Sequence, residues 1–149
     1  CPACGTNSSY VLEDFASGPA LAARYCEAAG IWAPDAEAVL RLAQAGDPVA
    51  LSVVESAGDA LGGAVGLLAN SLDPEAIIVG GGLGSAPGPY RTALMTSVHA
   101  HLWQDDRRSM PVLTAKLGEQ AGVVGAAVAA HRTRATVRFR APAGDTVSR

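Results

Sequence analysis

Aromatic side chains are scarce in this chain: Phe, Trp and Tyr make up 5% of 149 residues, although 49% are hydrophobic. A core of that composition is built from Ala, Val and Leu, which suits close-packed helices on a small sheet. Charge of one sign is lacking too. The net charge is −3 with both signs interspersed, so the electrostatic footprint of a nucleic-acid binder is absent. The three cysteines do not make a disulfide framework. The longest uncharged apolar run, residues 60–72, is short and glycine-rich for a bilayer span, and no signal-peptide pattern is visible. No membrane association is expected, and the expected location is the cytoplasm. Two phosphate-binding fingerprints are missing as well. No Gly-Lys-Ser/Thr occurs, which excludes a P-loop, and Ser85 and Pro87 stand where G-x-G-x-x-G would need its last Gly.

What is present centres on DPEAIIVGGGLGS, residues 73–85. The turn signal Asp73-Pro74 leads into Ala76-Ile77-Ile78-Val79, a run rich in β-branched residues and apolar on both faces, as in a buried strand. Gly80, Gly81 and Gly82 follow it. Such glycines allow either a tight strand-to-helix turn or the close approach of a ligand to the backbone. Ligands of open α/β sheets lie at the carboxyl ends of strands, which makes these three the first candidates for a binding site.

Before this strand the pattern predicts three helices. Ser17 caps the first, which Gly30 ends. The second starts at about Asp35, with Val39, Leu40 and Leu42 inward, and stops at Gly46. The third opens at Asp47-Pro48, and Val53, Ala57, Leu61, Val65, Leu68 and Leu72 mark its core face. Gly58, Gly62 and Gly66 stand four apart on a second face, where a neighbouring helix or a ligand would pack closely. Cys26, inside the first helix, reads as a small apolar residue. After the glycines, Pro87-Gly88-Pro89 opens a fourth helix with Tyr90, Leu94, Val98 and Leu102 inward. His99 and His101 lie in different directions on it and cannot share a metal. Asp105-Asp106-Arg107-Arg108 reads as a solvated turn, residues 111–115 as a second strand, and residues 123–134 as an Ala-rich last helix. Tyr10-Val11-Leu12 is a candidate extended piece. Residues 1–134 form the expected domain, and 135–149 a tail expected to be disordered. The order of elements implies parallel strands with right-handed crossovers. Two strands make a poor sheet. Because the chain also begins at Cys1 inside what looks like a motif, it is read as a fragment of a longer protein.

Several pieces together resemble the C-terminal half of the ROK family of bacterial sugar kinases and sugar-responsive repressors. They are Cys4-Gly5, the segment from Leu12-Glu13-Asp14-Phe15 to Ala20, Asp47-Pro48-Val49-Ala50, Leu61-Gly62, the segment from Leu72-Asp73-Pro74 to Leu83, and Ala121-Gly122-Val123-Val124-Gly125. They occur in the family's order and at about its spacing. The resemblance implies an α/β fold, the C-terminal part of an actin-like (hexokinase-type) ATPase fold, with parallel strands, flanking helices and an incomplete sheet. It implies that Gly80, Gly81 and Gly82 lie beside the adenosine of ATP, that Mg²⁺ bridges its phosphates, and that Glu13 accepts hydrogen bonds from a small-molecule sugar. Cys1 and Cys4 are similar to zinc-binding cysteines of the family. The spacing here is Cys-x-x-Cys against the family's Cys-x-Cys, though, and the third cysteine position holds Tyr10 or Val11. Two thiolates without a nearby His do not complete a tetrahedral zinc site.

The family's catalytic Asp, its Asp-x-Gly-Gly-Thr loop and its Glu-x-Gly-His motif are not in this sequence. The expectation is therefore a C-terminal fragment of an ATP-dependent hexose kinase, glucokinase-like and inactive alone. The alternatives are a sugar-sensing repressor with a helix-turn-helix, which would bring nucleic acid as a partner, or a nonfunctional remnant. The intact glycine triplet favours the kinase. Family members are commonly dimers or tetramers, so the intact protein is expected to be a homo-oligomer.

Overall fold

The computed structural model describes residues 11–136. Cys1, Cys4, Tyr10 and the tail from residue 137 onward lie outside the described residues. The chain divides into two compact units, Cys1–Gly118 and Glu119–Arg149. The first contains helices α1 (Leu12–Ala16), α2 (Gly18–Ala29), α3 (Ala36–Gln44) and α4 (Pro48–Leu72), strand β1 (Ile77–Val79), helices α5 (Gly81–Ser85) and α6 (Pro89–Ala100), a 3-10 turn (Asp105–Ser109) and strand β2 (Val112–Thr114). The second holds helix α7 (Ala121–Thr136).

The expected helix starts rest on real caps. Ser17 Oγ accepts from Ala20 N, Asp35 Oδ1 from Ala38 N and Asp47 Oδ1 from Ala50 N, at 3.3, 2.8 and 2.8 Å. Each satisfies a backbone donor that the first turn leaves orphaned. Gly30 closes α2 in the left-handed conformation, φ 67°.

Strands β1 and β2 pair in parallel, with Ile77 opposite Val112, Ile78 opposite Leu113 and Val79 opposite Thr114. The strand ends are fastened by Ile77 N donating to Pro111 O at 2.9 Å and Ala115 N to Val79 O at 2.8 Å. Ile77, Val79 and Val112 face the helical layer and join the core. Burial on both faces was expected for β1, and here the structure differs. Ile78 and Leu113, side by side on the other face, are 69% and 50% exposed, because the helices of residues 11–118 cover one side of the sheet only.

α4 and α6 form the spine of this layer. A methyl group built on Gly58 would strike the carbonyl oxygen of Tyr90, one on Gly62 that of Leu94, and one on Gly66 would lie 2.8 Å from that of Val98. Contact partners rise in number along both helices, so the two run parallel. Of the two occupants expected for the glycine face, a helix fills it. The sequence pattern had also placed Leu68 and Leu72 on the core face of α4. They are 58% and 74% exposed, whereas Gly58, Gly62, Gly63, Gly66 and Ala69 are buried. Backbones approach this closely only where no side chain intervenes, so α6 docks on the glycines and the leucines turn away from it. At 25 residues α4 also has the length and composition of a membrane span, longer than the run at 60–72 suggested; its small-residue face is occupied by α6.

Where α6 ends, Asn70 Nδ2 donates to His101 O at 2.8 Å and Asn70 Oδ1 accepts from Trp103 N at 3.1 Å. Tyr90, Leu94, Val98 and Leu102 are buried as expected. His99 is half-buried with Nε2 3.1 Å from Met110 O, and His101 is exposed. Asp105 and Asp106 lie exposed in the 3-10 turn, with Arg108 pairing with Asp105 at 3.0 Å and Arg107 reaching Asp73 at 2.6 Å. Cys26 is half-buried, its Sγ accepting from Ala33 N at 3.2 Å.

Candidate functional site

The three candidate glycines stand where β1 ends. Gly80 is extended (φ −130°, ψ −171°), and Gly81 then takes φ +80°, a left-handed backbone that L side chains rarely adopt, to start α5. This short helix was not expected from sequence, because glycine is a poor helix former. The glycines serve different ends. Gly80 passes close to β2, a methyl on it lying 3.2 Å from Ala115 Cβ, and a methyl built on Gly84 would lie 2.7 Å from Val79 Cγ1. Gly82 has neither need. Its φ lies outside the left-handed range, and no described atom lies within 4 Å of a methyl built on it. The fold would accept a side chain there, so the smallness of Gly82 leaves its backbone open from outside. At the end of α5, Ser85 Oγ is buried without a hydrogen-bond partner among the described residues.

Glu13 lies in α1, where sequence had suggested an extended piece around Val11 and Leu12. Val11 is extended (φ −68°, ψ 144°), and the helix begins one residue later. A five-residue helix is not stable by itself, and this one is held from outside. Arg24 donates to Phe15 O at 3.0 Å, and the buried Tyr90 hydroxyl donates to Ala16 O at 3.2 Å. Glu13 is exposed, and its carboxylate has no partner among the described residues. Tyr90 opens α6 just after the glycine segment, so one hydrogen bond joins the element carrying Glu13 to the element following Gly80, Gly81 and Gly82. No local sequence pattern marks Arg24, whose partners lie 9 to 32 residues away.

Burial raises the phenol pKa of Tyr25 above the usual tyrosine value, with the Asp47 carboxylate beside it adding to the effect, and burial alone raises that of Tyr90. Two concavities lie elsewhere. One of about 280 Å³ is framed by Asn70, Asp73, Trp103 and Arg107. An open groove of about 690 Å³ runs along α4 and α6 past Glu55, Asp59, Gly88 and Thr92. Neither includes Glu13 or the glycine triplet, which are exposed among the described residues. No group of three His, Cys, Asp or Glu side chains among the described residues could hold a metal ion. Cys26, the one described cysteine, has its sulfur engaged by Ala33.

The ROK family model matches residues 1–133. The chain belongs to the ROK family. Similar ROK proteins include the N-acetylgalactosamine kinase of Shewanella sp. (strain ANA-3), 32% identical over 139 residues, which are 93% of this chain and 44% of the relative. A glucokinase of Halalkalibacterium halodurans is 36% identical over 90 residues, 60% of this chain and 27% of that protein. Among solved structures, the ROK hexokinase from Thermus thermophilus matches with a TM-score of 0.72 and 32% identity, over 88% of this chain and 44% of that one. The ROK glucokinase from Streptomyces griseus, solved in complex with glucose and AMPPNP, matches with a TM-score of 0.69 and 29% identity, over 84% of this chain and 46% of that one. The chain therefore has the actin-like ATPase fold of ROK hexokinases in part, spanning under half the length of these relatives, with parallel strands and flanking helices on an incomplete sheet.

Proposed function

We propose that this chain is the C-terminal part of an ATP-dependent hexose kinase, glucokinase-like, which transfers the γ-phosphoryl of ATP to a sugar hydroxyl. The observation that carries the proposal is Gly82: at the carboxyl end of β1 it leaves the backbone open with no packing reason of its own, in a chain similar to a glucokinase solved with AMPPNP. Gly80, Gly81 and Gly82 would hold the nucleotide through the main chain. The carboxylate of Glu13, without a partner among the described residues, would accept from sugar hydroxyls and so orient the ring. ATP, when bound, supplies the phosphoryl group and its leaving group, with Mg²⁺ on the phosphates. No set of described side chains would hold that ion without them, and nothing in the described residues fits a structural zinc.

Phosphoryl transfer is mostly positioning plus electrostatic stabilisation. Residues of this chain would fix nucleotide and sugar. The base that takes the sugar proton would come from residues other than these. The expected location is the cytoplasm and the intact enzyme is expected to be a homo-oligomer. In a coupled assay the purified chain should show no glucose phosphorylation above background. It should gain activity when joined to the N-terminal part of the Streptomyces griseus glucokinase. Turnover by the chain alone would overturn this division of labour, and a well-folded fusion that binds neither glucose nor nucleotide would overturn the kinase proposal.

A further inference from the structure

α1 has the orphan carbonyls of any helix C-terminus, and three of them are captured. Glu13 O accepts from Ser17 N at 3.2 Å, Phe15 O from Arg24 and Ala16 O from Tyr90. Arg24 does more than cap. One nitrogen reaches Phe15 O at 3.0 Å on α1 and Val53 O at 3.4 Å on α4, and the other reaches Ser56 Oγ at 2.7 Å. Its guanidinium carbon also lies 3.7 Å from the centre of the Phe15 ring. A half-buried cation from α2 thus ties α1 to α4 through both the main chain and the side chain of Phe15. A planar fork with five donors can serve these acceptors at once, which the single ammonium of Lys cannot. The positive charge also sits at the C-terminal end of α1, where the helix dipole favours it.

We infer that Arg24 is a positioning residue for sugar binding: it fixes the orientation of α1 and thereby aims the carboxylate of Glu13, two residues before Phe15. This rests on the proposal that Glu13 contacts the sugar. It also goes beyond it, since Arg24 touches no ligand and acts through α1. Without Arg24, α1 keeps among the described residues the Ser17 and Tyr90 bonds and its apolar packing, and Glu13 would sample many directions.

The test is a double-mutant cycle in the 149-residue chain, with glucose binding followed by saturation-transfer NMR and AMPPNP binding by calorimetry. Glu13→Gln and Arg24→Met should each weaken glucose binding about tenfold, the loss of one hydrogen bond to a charged group. The double variant should be no weaker than either single one, because both remove the same contact. AMPPNP affinity should stay at the wild-type value throughout. Arg24→Lys should fall between wild type and Arg24→Met; together with Ser56→Ala it carries the test should Arg24→Met not fold. Additive losses from Arg24→Met and Glu13→Gln, or a parallel loss of AMPPNP binding, would reduce Arg24 to a purely structural role and overturn the inference. Unchanged glucose binding in Glu13→Gln would instead remove the sugar role of Glu13, and the inference with it.

Discussion

At the scale of single residues, the glycine segment makes separable predictions. Gly81→Ala puts a side chain at φ +80° and should destabilise the chain by about 1 kcal/mol. Gly82→Ala meets no described atom and should leave the melting temperature unchanged, yet lower AMPPNP affinity at least tenfold by blocking approach to the backbone. Ser85→Ala deletes a buried hydroxyl that has no partner among the described residues, so it should be neutral or mildly stabilising. Calorimetric melts beside AMPPNP titrations separate these outcomes. A loss of stability in Gly82→Ala equal to that in Gly81→Ala would remove the distinction between them. Tyr25 and Tyr90 set a pH limit. Their phenols are held neutral by burial, so their pKa in the folded chain lies above the unfolded value near 10. The stability this contributes is full below pH about 10 and is lost as pH rises through the folded value. Tyrosinate absorbance from these two residues should appear together with loss of the circular-dichroism signal on alkaline titration. Their ionisation at ordinary pH in a still-folded chain would contradict the burial.

At the scale of elements, α4 against α6 carries the layer. Gly62→Ala would drive a methyl into the Leu94 carbonyl and to 2.6 Å from Ser97 Cβ, and should destabilise by about 3 kcal/mol. The same change at Gly122, where no described atom lies within 4 Å, should be stabilising or neutral; denaturant melts compare the two. The helix caps and the inner face of α6 were legible in sequence because they are local: an Asp or Ser before a run of helix formers, an apolar residue every three or four. The parallel pairing was legible from the alternation of helices and strands. What was not legible depends on distance along the chain. Leu68 and Leu72 carry a perfectly good core pattern, but Gly58, Gly62 and Gly66 admit the neighbouring backbone and decide which face is buried. α1 is helical because side chains from α2 and α6 take up its carbonyls, and no pattern in residues 11–16 announces Arg24 or Tyr90. At the site, the position of Gly80, Gly81 and Gly82 at a strand's carboxyl end followed from β-branched residues running into glycine. Their division of labour needed coordinates.

For the whole molecule, the one-sided sheet and the span of under half of its ROK relatives belong together. Ile78 and Leu113 present an apolar face that residues 11–118 do not cover, and Glu13 and Gly80, Gly81 and Gly82, the proposed ligand seats, are exposed among the described residues. Seats exposed in this way bury little of a ligand's surface and should bind weakly. The most direct measurement is a ¹⁵N–¹H correlation spectrum of the chain titrated separately with AMPPNP and with glucose. AMPPNP should shift the amides of Gly80, Gly81, Gly82 and Leu83, and glucose those of Glu13, Asp14 and Phe15, with little overlap. Saturable shifts confined to those two segments are the expected result. Shifts centred instead on Asn70, Trp103 and Arg107, or none at either segment at millimolar ligand, would contradict the assignment of nucleotide and sugar to this chain.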